Sequence, residues 1–209
     1  MQRKLGFLFA LAVVGLAAWI VPAGRAGDDN LKPDAEGFLR NWVVLAPIGF
    51  DGASNGAEAL NKKLIDDEAR LRPKAGDKIK VGAQELTWKK HSCNDHMLNI
   101  NGLLGQDTDN SVAFAVTYVV ADKEMKDLKL KVGSDDQAKV YLNGKEVFKF
   151  EEARAADKDQ NTIENITLNE GVNVVVFKIV NEGGDWAGCL RFTDKGDQPI
   201  AGLKVKLTP

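Results

Sequence analysis

An all-β antiparallel sandwich with one short helix, set behind an export signal, is the fold class that three features of the sequence predict. Short runs of β-branched and aromatic residues recur along the chain, separated by Gly, Asn and Asp turns. Strand and helix patterns do not alternate, so a doubly wound parallel sheet is excluded. The N-terminus opens with basic Met1-Gln2-Arg3-Lys4, continues as the apolar run "LGFLFALAVVGLAAWIV" and ends in "PAGRA". A charged start, an apolar middle and a small-x-small end form an export signal cleaved after Ala26. The alternative is an uncleaved anchor, but Pro22 stands before the small-residue site and the run is at the short end of a membrane span.

This divides the chain into a signal peptide (1–26), a polar lead-in (27–37) and a sandwich domain (38–209). The mature part has about 183 residues, enough for one domain with a sizeable core. No second stretch is long and apolar enough to span a bilayer, so no membrane partner is expected after signal cleavage, and the localisation expected is secreted or periplasmic. The formal charge of the whole chain is −2, with Lys and Arg interspersed among acids. Nucleic acid is excluded as a partner, because phosphate binding needs clustered cations.

Within the domain, "FLRNWVVLAPIGF" (38–50) holds a buried strand over 42–46 that Pro47 halts. Leu60, Leu64 and Ile65 recur at helical spacing and predict a helix over 57–70, ended before Pro73. "DKIKVGAQELTW" predicts two short strands turning around Val81-Gly82. "SVAFAVTYVVA" (111–121) puts Val112, Phe114, Val116, Tyr118 and Val120 on one face, and its other face is small or apolar. A strand apolar on both faces is a central one. "LKLKV" (128–132) alternates, with Leu128, Leu130 and Val132 inward.

"GSDDQAKVYLNGKEVF" (133–148) reads as a polar turn followed by a hairpin closed at Asn143-Gly144, since Asn-Gly accepts the positive φ of a two-residue turn. A two-residue loop sets Leu142 opposite Lys145; a three-residue loop aligns Val140, Leu142, Phe148 and Phe150 on one face, the preferred register. "NTIENITL" (161–168), "NVVVFKIVN" (173–181), "GCLRFTD" (188–194) and "LKVKL" (203–207) complete the strands.

The order of "NWVVLAPIGF", "VAFAVTYVVAD", "LKVGSDDQAKVYLNGKEVF" and "LNEGVNVVVFKIVNEGGDWAGCLRFTD" resembles jelly-roll modules of the galactose-binding-like type, notably the sugar-binding domain of family 2 glycoside hydrolases. It is similar to exported modules of planctomycete-type bacteria. The "SDD…NGK" hairpin also resembles the PA14 pattern, in which adjacent aspartates bind calcium and calcium contacts sugar hydroxyls. Asp135 and Asp136 match that pair, while Gln137 stands where PA14 domains often have Gly and Asn143 where Asp is common. The resemblance implies a non-catalytic carbohydrate-binding module, with calcium as its possible cofactor.

The residues themselves leave alternatives open. Asp135 and Asp136 could contribute to a calcium site, with Asp107, Asp109, Asp157 or Asp159 as further oxygens, or could form a polar turn that starts the hairpin. Trp186, beside Asp185 in Gly-rich "EGGDWAGC", is a stacking platform for a pyranose or a core residue at the sandwich end. Trp42 reads as core, and Trp88 fits either place. Arg154 in the loop "FEEARAADKDQ" is a ligand donor or a solvated charge. The segment "HSCNDH" combines His91, Cys93, Asp95 and His96. It could hold a metal or a Cys–His nucleophile, but Cys93 and Cys189 form the even pair that an exported protein oxidises to a disulfide. The expected ligand set is therefore Asp135, Asp136, Arg154, Asp185 and Trp186. The expected partner is a carbohydrate or another envelope protein. A structural envelope module and, more remotely, a metal-dependent periplasmic enzyme are the alternatives.

Overall fold

Two antiparallel sheets face each other, and a stretch of chain covers the outer side of the larger one. The computed structural model describes residues 31–209; the predicted signal and the first residues of the lead-in lie outside the described residues. The larger sheet contains β1 (Asn41–Gly49), β4 (Lys89–Ser92), β6 (Ser111–Ala121), β8 (Ala138–Leu142), β9 (Lys145–Phe150), β11 (Gly171–Asn181) and β13 (Lys204–Lys206). Its order is β4-β1-β6-β11-β8-β9, with β13 also paired to β6. The smaller sheet runs β10 (Asn161–Leu168), β7 (Met125–Asp135), β12 (Ala187–Thr193) and β5 (Leu98–Asn99). A separate hairpin joins β2 (Lys78–Val81) to β3 (Gln84–Thr87). The predicted all-β antiparallel sandwich is the observed fold class.

The two faces of the larger sheet have different partners. Trp42, Ala115, Val140, Phe177 and Ile179 point inward and meet Leu130, Val132, Leu190 and Phe192 of the smaller sheet. Val43, Leu45, Phe114, Val116, Tyr118 and Val176 point outward and are covered by Leu60, Ile65 and Trp88. β6 is thus buried on both faces in the middle of the sheet, as its double apolar pattern requires.

The covering chain corrects the predicted helix. Only α1 (Gly56–Asn61) and a single 3₁₀ turn (Glu68–Arg70) form within 57–70. The cause lies beneath it. Lys178, with no exposed surface, stands on the outer face of β11 and donates to the Lys62 carbonyl at 2.7 Å. A continuing helix would need that carbonyl for its own ladder. The same ammonium lies 3.2 Å from the Glu68 carboxylate, which also accepts from the Tyr141 hydroxyl at 2.8 Å. A second short helix, α2 (Ile100–Leu104), was not read from the sequence; Asn99 caps its start and Gly105 its end.

Other expectations change in register rather than in kind. Pro47 does not halt β1; the strand passes through a bulge between Leu45 and Ile48 and continues to Gly49. The Ala46–Pro47 peptide is cis. The lead-in is tied down, with Leu31 bridged to Val205. The Asn143-Gly144 hairpin combines both registers considered. Its loop has two residues, with φ of 52° and 84° and Leu142 opposite Lys145, and a bulge then returns Phe148 to its place opposite Val140. The apolar face forms without a three-residue loop.

The largest correction concerns 133–137. These residues do not start a hairpin. β7 belongs to the smaller sheet and β8 to the larger, so Asp135 and Asp136 lie where the chain changes sheets. The Asp136 amide donates to Val180 O at 2.7 Å, bringing the chain into register with β11. The peptide between the two aspartates is cis.

The buried ion pair under the covering chain gives a test. Glu68→Ala leaves the Lys178 ammonium buried beside one carbonyl, and is expected to destabilise the domain by about 3 kcal/mol in urea unfolding. Replacing the pair together, Lys178→Met with Glu68→Leu, should recover most of that loss.

Candidate functional site

The sheet change organises one end of the sandwich. Asp136 Oδ1 accepts from the Arg154 amide at 3.2 Å, and its Oδ2 accepts from the Glu182 amide at 2.8 Å. One carboxylate thereby ties the 151–160 loop and the turn after β11 to the sheet change. The Ser134 hydroxyl donates to Asp136 O at 2.8 Å. Arg154 folds back over this point. Its guanidinium donates to Ser134 Oγ at 2.8 Å and to Asn161 Oδ1 at 2.7 Å, and stacks on the Phe150 ring with the guanidinium carbon 3.8 Å from the centroid.

Asp135 behaves differently from its neighbour. It is 9% exposed and lines a cavity of about 360 Å³ with Asp95, Asn99, Asp185 and Trp186. The Ala155–Ala156 stretch and Met97 complete the wall. The Ala156 amide favours its charged form, and no Lys, Arg or His among the described residues does so. Burial first, and then the Asp136 and Asp185 carboxylates, push its pKa up to about 6. Asp136 is also raised by burial, against the lowering effect of its two backbone donors.

Three of the five residues expected to bind ligand, Asp135, Asp185 and Trp186, therefore line one cavity. The other two stand behind it. Asp136 and Arg154 use their polar atoms on the protein itself and hold the wall. Of the two places open to Trp186, the structure shows the core one: its ring is only 1% exposed and packs between the sheets. It contributes a wall, not a free platform. Trp42 and Trp88 are both buried. Sequence reasoning missed Asn99 and the Ala155–Ala156 wall. Asn99 had a signal, the N-cap position before "INGLL".

Asp135 and Asp136, the pair expected to hold calcium, face different surroundings. Both oxygens of Asp136 are occupied by backbone amides. Among the described residues no group of three or more His, Cys, Asp or Glu side chains gathers in a way that could hold a metal. Calcium takes roughly six to eight oxygens. His91, Cys93 and His96 do not form such a group either. His96 packs its ring against Phe38 with centroids 5.3 Å apart, and His91 is half-buried on β4, its pKa lowered by burial.

The predicted disulfide is not present; Cys93 and Cys189 are both free and buried. They lie on opposite faces of the smaller sheet. Cys93 belongs to the core between the sheets. On β12, Gly188 faces inward, against Phe177 and Ile179, and Leu190 joins the core. Cys189 between them must point outward, where its sulfur lies 3.6 Å from Asp157 O. Gly133 leaves room there: a Cβ at that position would overlap Asp157 O.

A larger cleft of about 560 Å³ runs between the edges of β9 and β10, lined by Lys145, Glu146, Val147, Ile163 and Glu164 among others. It holds no buried, open polar group like Asp135, and its exposed charges are those that protect sheet edges from pairing.

No family model matches the chain, the family 2 glycoside hydrolase type included, and no curated protein matches it. Among solved structures, the PA14 domain of the MpAFP antifreeze protein is similar at 11% identity with a TM-score of 0.39, over 90% of this chain and 98% of that one.

Two outcomes follow from this geometry. Burial raises the Cys93 thiol to about 12 and the Cys189 thiol to about 11. Both should resist alkylation in the native protein and react quantitatively in denaturant without reductant, a gain of two adducts by intact mass. Asp135 keeps a proton in the folded state that the unfolded chain, near pKa 3.9, has released, so its contribution to stability falls as pH rises between about 4 and 6. Asp135→Asn should stabilise the domain by about 1–2 kcal/mol at pH 7.5 and negligibly at pH 4, measured by urea unfolding.

Proposed function

We propose that this chain is a non-catalytic, exported carbohydrate-binding module whose ligand seats in the cavity beside Asp135. The observation that carries the reading is a carboxylate nine-tenths buried, facing a cavity of about 360 Å³ with an oxygen open to a donor. The volume falls in the roughly 300–1,000 Å³ range of small-ligand sites, and the wall has their mixture of a few converging polar groups on an apolar ground. Sugar hydroxyls are donors that suit open carboxylates, and the half-buried Met97 offers apolar surface to ring C–H groups.

Export rests on the N-terminal basic, apolar and small-residue pattern, which leads us to a secreted or periplasmic location. The rival reading, an envelope module that docks a protein through an apolar face, has less support. Among the described residues Val172 is the one large hydrophobic side chain that is exposed. The reading proposed does not call on calcium, and the amides on Asp136 support that choice.

Binding of the mature chain to a broad glycan panel, with calcium and with chelator, tests the proposal. Chelator-independent binding to at least one glycan class is expected. Asp185→Asn, an exposed change that leaves folding intact, should weaken it about tenfold, the worth of a hydrogen bond to a charged group. A panel with no binding in either condition would sink the reading.

A further inference from the structure

The charge of the cavity narrows the ligand. Asp95, Asp135 and Asp185 all contribute to its wall, and no Lys, Arg or His is among the described residues that line it. Arg154, which precedes Ala155 of the wall, and Arg40, which is bonded beside Asp95, are turned elsewhere. Arg154 is held by Ser134 and Asn161. Arg40 donates to the carbonyls of Cys93 and Asn94, at 2.7 and 2.6 Å. Asp95 itself accepts the Met97 amide at 2.8 Å, so it presents a carboxylate at the rim that is fixed in place. Acids on a surface are ordinarily solvated and select nothing. Asp135 is the exception: it is nine-tenths buried and faces the cavity without a cation partner. A buried carboxylate without a partner is costly, and a ligand that brings a positive charge removes that cost.

Resting on the carbohydrate reading above, we propose that the cavity selects an amino sugar, with its unacetylated primary ammonium against Asp135 and within the field of Asp185 and Asp95. Acetylating the nitrogen removes the charge and adds bulk in a small cavity. A uronate or a phosphorylated sugar is repelled by the same wall. An ammonium is also a compact donor of three hydrogen bonds, which matches converging carboxylates better than a planar guanidinium does.

The test is calorimetric titration of the mature protein at neutral pH, in the presence of chelator. The ligands are an oligosaccharide of glucosamine, its fully N-acetylated counterpart, a neutral glucose oligomer and a uronate-containing oligomer. The free-amine ligand is expected to bind about tenfold or more tightly than the acetylated and neutral ones, equivalent to ~1.4 kcal/mol, and the uronate most weakly. Asp185→Asn and Asp135→Asn should each move the amine-to-acetyl affinity ratio toward one. Asp185 is exposed, so its variant reads the charge effect even if Asp135→Asn disturbs the wall.

Equal affinity for amine and acetyl forms overturns the inference and leaves the carbohydrate reading standing. A preference for uronate does the same. Neutral sugars that bind only when calcium replaces chelator overturn it too, because the cation of the site is then a metal. Absence of binding by all four ligands, with the glycan panel also blank, overturns both.

Discussion

The Asp136 carboxylate is the point on which this end of the molecule depends. A chain that leaves one sheet and enters another breaks two hydrogen-bond ladders at once, and each amide exposed by the break needs a new acceptor. Asp136 supplies two, for Arg154 N and Glu182 N, while its own amide goes to Val180 O. Three stretches distant in sequence meet through one side chain: the sheet change itself, the loop after β9 and the turn after β11. Arg154 then closes over Ser134 from outside, so the wall is held by charge-assisted bonds rather than by apolar packing alone.

The covering chain obeys the same rule on the other side of the larger sheet. The outward face of β6 and β11 is as apolar as the inward one and needs a lid. The lid is mostly irregular, yet it is held at defined places. Lys178 holds the Lys62 carbonyl and Glu68, and the Tyr118 hydroxyl donates to Pro73 O at 2.6 Å. A buried lysine contributes little net stability, because burial pushes its pKa down and offsets much of the attraction to Glu68. What it contributes is direction: among many ways to lay an apolar strap on an apolar sheet, only those that bring a carbonyl and a carboxylate to Lys178 avoid an unpaired charge.

Much of this was legible in the sequence. The strand runs, the double-faced β6 and the Asn-Gly turn are local signals, and local signals survive folding. The helix over 57–70 failed because its limit is set by Lys178, more than a hundred residues away. "GSDD" was read as a turn because a sheet change and a turn use the same polar residues; the difference lies in which strand the next residues join. The disulfide could have been doubted from "GCLRFTD" alone. Period-two alternation sets Cys189 on the face of Arg191, opposite Leu190 and Phe192. Trp186 in a Gly-rich turn fits a stacking platform or a core position by sequence alone; the turn folds inward, and the Ile100 amide donates to Trp186 O at 2.8 Å.

The site itself shows how two identical neighbours acquire different chemistry. Asp135 and Asp136 are adjacent, equally buried and both raised in pKa. Asp136 turns toward the amides that the sheet change strands, and its charge is absorbed in holding them. Asp135 turns toward the cavity, where one amide answers it and the nearest other charges are acids. The structural task therefore falls wholly on one residue, and the other keeps a desolvated charge that the fold does not use. Such a charge persists at a cost to stability, which is the usual relation between a binding group and the scaffold that carries it. Among the residues that line the cavity, Asp135 is the buried carboxylate, and no cation of the chain neutralises it among the described residues.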